Sequence, residues 1–260
     1  VLKVMKLYIF ILSISCSLCS FASGNQVHLD KAPLDPTDYA SLQRGAKTFM
    51  NTCSGCHGIQ YTRYGSLAKG IGITDEQGKV LDKVVQDSLI FGNAAKMTDA
   101  IKTSMRTADA EKWFGTAPPD LSLVAKSKGA DWVYTFLRSF YLDESRPWGV
   151  NNTVFEDVGM PHVLANLQGI LVPEYKSTIH DIGGKQVEDK VISSLTLAHS
   201  GSLSTDEYDK VVADLVNFLS YVADPHQVER KNIGVFVIAF LVIFTVFAYL
   251  LKREYWKDVH

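Results

Sequence analysis

Apolar positions along this chain fall into three regimes. Two stretches, one near each end, are predominantly apolar, and the long region between them alternates apolar and polar residues, mostly at helical spacing. The first stretch, Leu7 to Leu18, follows Lys3 and Lys6 and gives way to Ser20-Phe21-Ala22-Ser23. A basic start, a short apolar centre and small residues behind it describe a secretory signal peptide over residues 1–22. About 12 apolar residues are too few to span a bilayer comfortably. The second stretch, Ile233 to Leu251, shows no polar face, whereas a buried core helix would keep one. About 19 residues rising 1.5 Å each reach across the hydrocarbon core, so 233–251 is expected to be a transmembrane anchor. Arg230 and Lys231 precede it and Lys252, Arg253 and Lys257 follow, so the charge bias is slight. The signal peptide sets the orientation: residues 23–232 in the periplasm, and a tail at 252–260 in the cytoplasm of a bacterial cell whose inner membrane holds the chain.

Between these ends the spacing predicts helices joined by irregular segments. Leu42, Ala46, Phe49 and Met50 recur on one face from Tyr39 into Cys53, with Asp38 as N-cap. Gly58 to Gly72 reads as a loop carrying Tyr61, Arg63 and Tyr64, and Val80 to Phe91 and Thr98 to Ser104 show weaker helical spacing. Trp113 to Ser122 is an apolar loop stiffened by Pro118 and Pro119, after which Asp120 reads as the N-cap of a short helix through Lys126. Beyond Gly129, Asp131 is placed to cap a helix from Trp132 to Leu142, with Val133, Phe136, Leu137 and Phe140 on one face. Arg146 to Met160 is irregular, and Gly183-Gly184 between β-branched runs predicts a small hairpin within Val172 to Leu203. Ser204 and Glu207 form a capping box that opens an amphipathic helix through Val211, Leu215, Phe218 and Leu219, closed by Asp224-Pro225. With no βαβ alternation, the expected fold is one mainly α domain plus one membrane helix.

Composition is ordinary for a globular chain with apolar ends: 47% hydrophobic and 21% charged over 260 residues. Charge is more informative. Removing Lys3, Lys6, Lys252, Arg253, Lys257, Glu254 and Asp258 from totals of 26 basic and 28 acidic residues leaves 21 against 26 in the periplasmic body, a net charge of −5. That disfavours nucleic acid and mildly favours a basic partner, towards which Asp75 and Glu76 are candidate steering charges. Of the 4 cysteines, Cys16 and Cys19 leave with the signal peptide, so the mature chain keeps only Cys53 and Cys56.

Those two cysteines fall in Cys53-Ser54-Gly55-Cys56-His57, the attachment signature of a c-type haem. Each thiol adds across one haem vinyl group, and the histidine is then placed to ligate the iron. A redox dithiol of the thioredoxin kind needs a βαβ setting, and a four-ligand zinc site needs two further close ligands. The pattern offers neither, so one covalent haem c is expected. The second axial position is less determined by the residues alone. Met50 lies on the same helix as the motif, and Met97 and Met105 flank a helical-looking segment. Met160 sits in Val158-Gly159-Met160-Pro161-His162, where glycine and proline fix the loop's direction. His162 competes with Met160, and His180 and His199 rank below them; methionine would suit electron transfer, an open position binding or catalysis.

Several motifs together carry a family resemblance. Arg44-Gly45-Ala46 ahead of the haem motif, then Trp113-Phe114-Gly115 with Pro118-Pro119-Asp120-Leu121-Ser122, resembles cytochrome c1. So do Asp131-Trp132, Arg138-Ser139-Phe140-Tyr141, Arg146-Pro147, Asn151-Asn152 and Val158-Gly159-Met160-Pro161-His162, in their proteobacterial form. The resemblance runs from about Tyr39 to the end and implies a cytochrome c-like haem domain with loop and small hairpin insertions. It implies the c-haem subunit of the ubiquinol–cytochrome c reductase (cytochrome bc1) complex, a dimeric assembly with cytochrome b and the Rieske iron–sulfur protein. Single electrons would pass from the Rieske protein to a soluble c-type cytochrome. It implies His57 and Met160 as iron ligands, a pocket from Trp113, Phe114, Pro118, Pro119 and Leu121, and a basic residue at a haem propionate. That residue falls in Lys126-Ser127-Lys128, with Lys126 expected in the role and Arg106 and Arg138 as further candidates. A membrane-anchored c-type cytochrome serving another respiratory enzyme would share the haem and the anchor but not these motifs.

Overall fold

Asp38 starts the first helix: its carboxylate accepts a hydrogen bond from Ser41 N at 3.0 Å and caps α1, Tyr39–Thr48. The computed structural model of the chain describes residues 27–91, 96–182 and 185–257, so the expected signal peptide lies outside the described residues. At Thr48 the coil widens into a π-helical turn, Phe49–Cys53, in which Ser54 N reaches back to Phe49 O at 3.0 Å. Such turns insert a residue and re-aim those that follow. Here Cys56 N and His57 N both bond to Cys53 O, at 3.0 and 2.8 Å, so the haem motif closes on itself directly behind the helix.

The core forms where α1 crosses the amphipathic helix α8, Thr205–Ala223. Gly45 is the contact point: a Cβ there would collide with Asp214 O and lie 2.6 Å from Phe218 Cβ, so the two backbones approach as only glycine allows. Around it Leu42, Ala46, Phe49, Leu215 and Phe218 are buried, with the Phe49 and Phe218 rings 5.7 Å apart. Helix α6, Ala130–Arg138, also packs on α8 and is tied to it by Arg138, whose Nε and Nη2 donate to Asp209 at 2.6 and 2.7 Å. The predicted capping box is present: Ser204 N donates to Glu207 Oε2 at 2.9 Å, and Glu207 N to Ser204 Oγ at 3.4 Å. Ser204→Ala is expected to cost about 1 kcal/mol and to lower the melting temperature by roughly 3 °C, read by circular dichroism of the full chain in detergent.

The remaining elements correct several local expectations. Gly58 to Gly72 is not a loop but β1, Ile59–Arg63, followed by α2, Tyr64–Gly70. After α3, Asp82–Ser88, the expected helix at Thr98 to Ser104 is instead β2, Ala100–Ile101, which pairs antiparallel with β1 through buried Ile59 and Ile101. Local periodicity does not report a pairing between residues about forty apart. A further helix, α4, Thr107–Phe114, ends on Gly115 at φ 76°, inside what read as an apolar loop. Asp120 caps no helix; α5 is Val124–Ser127, and Asp120 instead accepts from Ser122 N and Gln60 N, each at 2.9 Å. Likewise Gly129 is the N-cap of α6, while Asp131 accepts from Ala32 N at 2.8 Å and fastens the leading segment. Helix α6 stops at Arg138 rather than Leu142, because Phe140–Leu142 forms β3 against β4, Val150–Asn152.

A short helix α7, Ala165–Gln168, leads into the predicted hairpin, made of β5, Gly169–Ile182, and β6, Lys185–Ser200. Its turn at Gly183-Gly184 lies outside the described residues. Helix α9, Gln227–Tyr255, spans 29 residues, contains the apolar stretch 233–251 and is long and apolar enough to cross a membrane. At the joint between α8 and α9, Asp224 pairs with Lys126 at 3.0 Å and with Arg230, and the hydrogen bond from Lys126 is the main reason its carboxyl titrates below the usual carboxylate range. The architecture is mainly α, with small two-stranded hairpins.

Candidate cofactor site

The helices enclose a cavity of about 520 Å³, within the roughly 300–1,000 Å³ usual for a cofactor site. Each wall comes from a different element. The π-helical turn and the residues after it supply Cys53, Cys56 and His57, and the end of α4 and the loop after it supply Phe114, Pro118, Pro119 and Leu121. Helices α5 and α6 and the turn between them add Val124, Lys128, Trp132 and Phe136, and α8 adds Leu215 and Leu219. The irregular segment after β4 closes the cavity with Phe155, Val158 and Met160. The walls are mostly apolar, with Thr52, Thr116 and Lys128 the polar side chains besides those of the motif.

The motif residues are held in a definite state. His57 Nδ1 lies 2.7 Å from Pro119 O. A carbonyl only accepts, so Nδ1 carries the proton and Nε2 keeps its lone pair for a metal. Burial lowers the His57 pKa and further favours the neutral, ligating ring. Two prolines fix the loop that offers this carbonyl, and the loop is fastened to the strand behind the motif by Leu121 N to Gly58 O at 2.8 Å. Both Cys53 and Cys56 are free thiols. Burial raises the Cys53 pKa, the reverse of the low-pKa thiolate a redox dithiol requires. Among the described residues no group of three or more His, Cys, Asp or Glu is placed to hold a metal ion, so a zinc site lacks its ligands.

The candidates for the second axial position separate by location. Met160 lines the cavity; Met50 is buried in the core between α1 and its neighbours, and Met97 and Met105 lie outside the lining. His162 stacks on Phe140 with ring centroids 4.8 Å apart and, pushed down to about 4 by burial, stays neutral outside the lining. His199 is exposed on β6. Among the described residues, Met160 and His57 are therefore the one thioether and the one imidazole that line the cavity, and two thiols stand beside them. This donor set in an apolar cavity fits a covalent c-type haem.

Two expected pocket residues lie elsewhere. Trp113 is 57% exposed on the last turn of α4 and does not line the cavity, while its neighbour Phe114 does, packed on Trp148 at 5.3 Å. Lys126 is engaged by Asp224; Lys128, two residues on, lines the cavity with Nζ 5.5 Å from the Trp132 ring centroid. Arg106 and Arg138 are likewise paired, with Asp109 and with Asp30 and Asp209. Asp75, the candidate steering charge, accepts from Gln77 N and Lys79 N at 3.0 and 2.8 Å and so holds its own turn. Sequence reasoning missed Trp132, Phe155 and Val158 as lining residues; only the α6 face bearing Phe136 gave a signal.

Comparison with known proteins shows the family to which these residues belong. The model of the Cytochrome C1 family matches residues 29–259. Cytochrome c1 of Allochromatium vinosum is 49% identical over 243 residues, covering 92% of this chain and 93% of that one. A Nitrosomonas europaea protein named ammonia monooxygenase gamma subunit is 41% identical over 239 residues, 92% of each chain. Cytochrome c1 of Rhodospirillum rubrum is 26% identical over 236 residues, 85% of this chain and 83% of that one. The family match takes in the haem motif, the cavity and the membrane-length helix alike, and the chain belongs to the cytochrome c1 family.

Proposed function

We propose that this chain is the c-haem electron-transfer subunit of a respiratory ubiquinol–cytochrome c reductase, taking single electrons from the Rieske iron–sulfur protein and passing them to a soluble c-type cytochrome. The observation that carries the reading is the meeting of Cys53, Cys56, His57 and Met160 in one apolar cavity of a chain that ends in a membrane-length helix. Bound haem supplies a one-electron couple on its iron. The protein's share is to hold that group and set its surroundings. Cys53 and Cys56 would hold it covalently, and His57 Nε2 and Met160 Sδ would ligate its iron. The Pro119 carbonyl fixes the tautomer and orientation of His57. Phe114, Pro118, Pro119 and Leu121 exclude water and favour the less charged, reduced state. Lys128 is the cation placed to meet a propionate, in the role expected of Lys126. The haem domain stands in the periplasm over residues 23–232, after removal of residues 1–22, with 233–251 as anchor and 252–260 in the cytoplasm. Cytochrome b completes the complex, which is a dimer.

The 41% identical relative with an ammonia monooxygenase name favours one second reading, a membrane-anchored c-type cytochrome serving another enzyme. Purifying the tagged chain from membranes in mild detergent separates the two. Under the main reading the reduced-minus-oxidised spectrum contains c-type and b-type bands, and the preparation reduces added cytochrome in a quinol-dependent way. A c-type band that travels with monooxygenase subunits and without b-type haem would establish the second reading. Colourless protein would sink both.

A further inference from the structure

The segment that brings Met160 to the cavity has no helix or strand of its own between Thr153 and Pro161. Two buried amides at the end of β4 hold it instead. Asn152, 1% exposed, accepts from Val154 N at 2.9 Å and Phe155 N at 3.2 Å, while its Nδ2 donates to Phe136 O at 2.8 Å. It thereby joins the start of the segment to the last turn of α6, which forms the facing cavity wall. Asn151, 5% exposed, accepts from Asp157 N at 2.9 Å and is itself anchored by donating to Asp143 Oδ2 at 3.0 Å. Asp157 is the one residue other than glycine with positive φ among the described residues, at 60°, and it stands immediately before Val158-Gly159-Met160. A residue in that conformation persists only where its surroundings over-determine it. Asn151 supplies one constraint and Arg146 the other, with Nη1 at 2.6 Å from Asp157 Oδ1 and Nη2 donating to Asp157 O at 3.0 Å.

We infer that Asn151 and Asn152 are positioning residues for Met160: their side-chain amides replace the missing secondary structure and set how firmly the methionine sulfur is presented to the cavity. The inference rests on the reading of Met160 as an axial ligand. Asn151 lines no part of the cavity and acts through Asp157. A loop held by buried hydrogen bonds loses restraint with each partner removed. That loss falls on the equilibrium between Met160 and any competing ligand.

The test is displacement of Met160 by added imidazole in the haem-loaded full chain, followed by loss of the ferric band that reports methionine sulfur on iron. In Asn151→Ala the apparent affinity for imidazole is expected to rise about tenfold, with both thioether links intact. Tyr208→Phe is the control for general loosening. It removes a buried bond from the Tyr208 hydroxyl to Leu137 O at 2.7 Å, lowers the melting temperature and leaves imidazole affinity unchanged. Equal shifts in both variants, or no shift in Asn151→Ala, would overturn the inference. If Asn151→Ala yields no holoprotein, Asp143→Ala removes the anchor of Asn151 from a half-buried position, and a rise of about threefold is then the expected result. An unchanged affinity there counts against the inference equally. Met160→Leu distinguishes failure of the underlying reading: wild-type affinity equal to that of Met160→Leu would mean that Met160 is not a ligand at all.

Discussion

Met160→Leu is expected to leave the haem covalently attached and to lower its reduction potential by about 0.2 V, a fraction of the roughly 0.8 V that axial ligation spans. The substitution preserves side-chain volume in the cavity wall and removes the thioether, so the walls should stay packed while, on the proposed ligation, the iron would lose a soft, weakly donating ligand that favours its reduced state. Each 59 mV is a factor of ten for a one-electron couple. A fall of about 0.2 V therefore weakens acceptance of an electron by more than a thousandfold at equilibrium, and quinol-driven reduction of added cytochrome should fall by roughly two orders of magnitude or more. Potentiometric titration of the c-type band is the direct measurement. Met50→Leu is the companion: Met50 is buried directly ahead of the haem motif but does not line the cavity, so its potential should match wild type at a stability cost below about 1.5 kcal/mol. A wild-type potential in Met160→Leu would remove that residue from the iron.

How far the sequence carries one depends on whether the physics is local. The haem motif, the capping box of Ser204 and Glu207, the Asp38 cap and the membrane-length helix are all written in adjacent residues, and the structure contains each of them. Pairings between distant segments are not written that way. β1 and β2 exist because Ile59 and Ile101 are buried against each other, and β3 takes the last apolar turn expected of α6 because Val150–Asn152 is there to receive it. The cap assignments at Asp120 and Asp131 failed for a related reason. Asp120 sits four residues before α5 and Asp131 one residue inside α6, and each is used by a backbone amide far along the chain, Gln60 and Ala32. Lys126 and Lys128 show the same limit inside the site. Both are basic and follow the Pro-Pro-Asp-Leu loop, and only the position of Asp224, about a hundred residues on, divides them between joint and cavity.

Gly45→Ala is expected to destabilise the protein although it improves helix propensity. In an exposed helix interior, alanine for glycine stabilises by about 1 kcal/mol. Position 45 lies on the face of α1 that meets α8, and a new Cβ would collide with the backbone oxygen of Asp214 and lie 2.6 Å from Phe218 Cβ. A backbone carbonyl inside a helix cannot rotate aside, so the two helices must separate. The ring contact between Phe49 and Phe218 and the paired Arg44–Asp214 bonds, at 2.6 and 2.9 Å, loosen with them. Overpacking of this kind costs about 1–3 kcal/mol, and contact with backbone rather than a flexible side chain puts the cost at the upper end. Set against the propensity gain, the net loss of about 2 kcal/mol corresponds to a fall in melting temperature of roughly 6 °C for a chain of this size. The damage reaches the site, because α1 runs through the π-helical turn into Cys53 and Cys56 and α8 presents Leu215 and Leu219 to the cavity. Less covalent haem per chain should therefore accompany the lower melting temperature. Circular dichroism melts and the haem-to-protein absorbance ratio of the purified full chain measure the two effects together. A variant that melts at or above wild type with full haem content would mean that helix propensity outweighs the crossing, and that α1 and α8 are not in contact at Gly45.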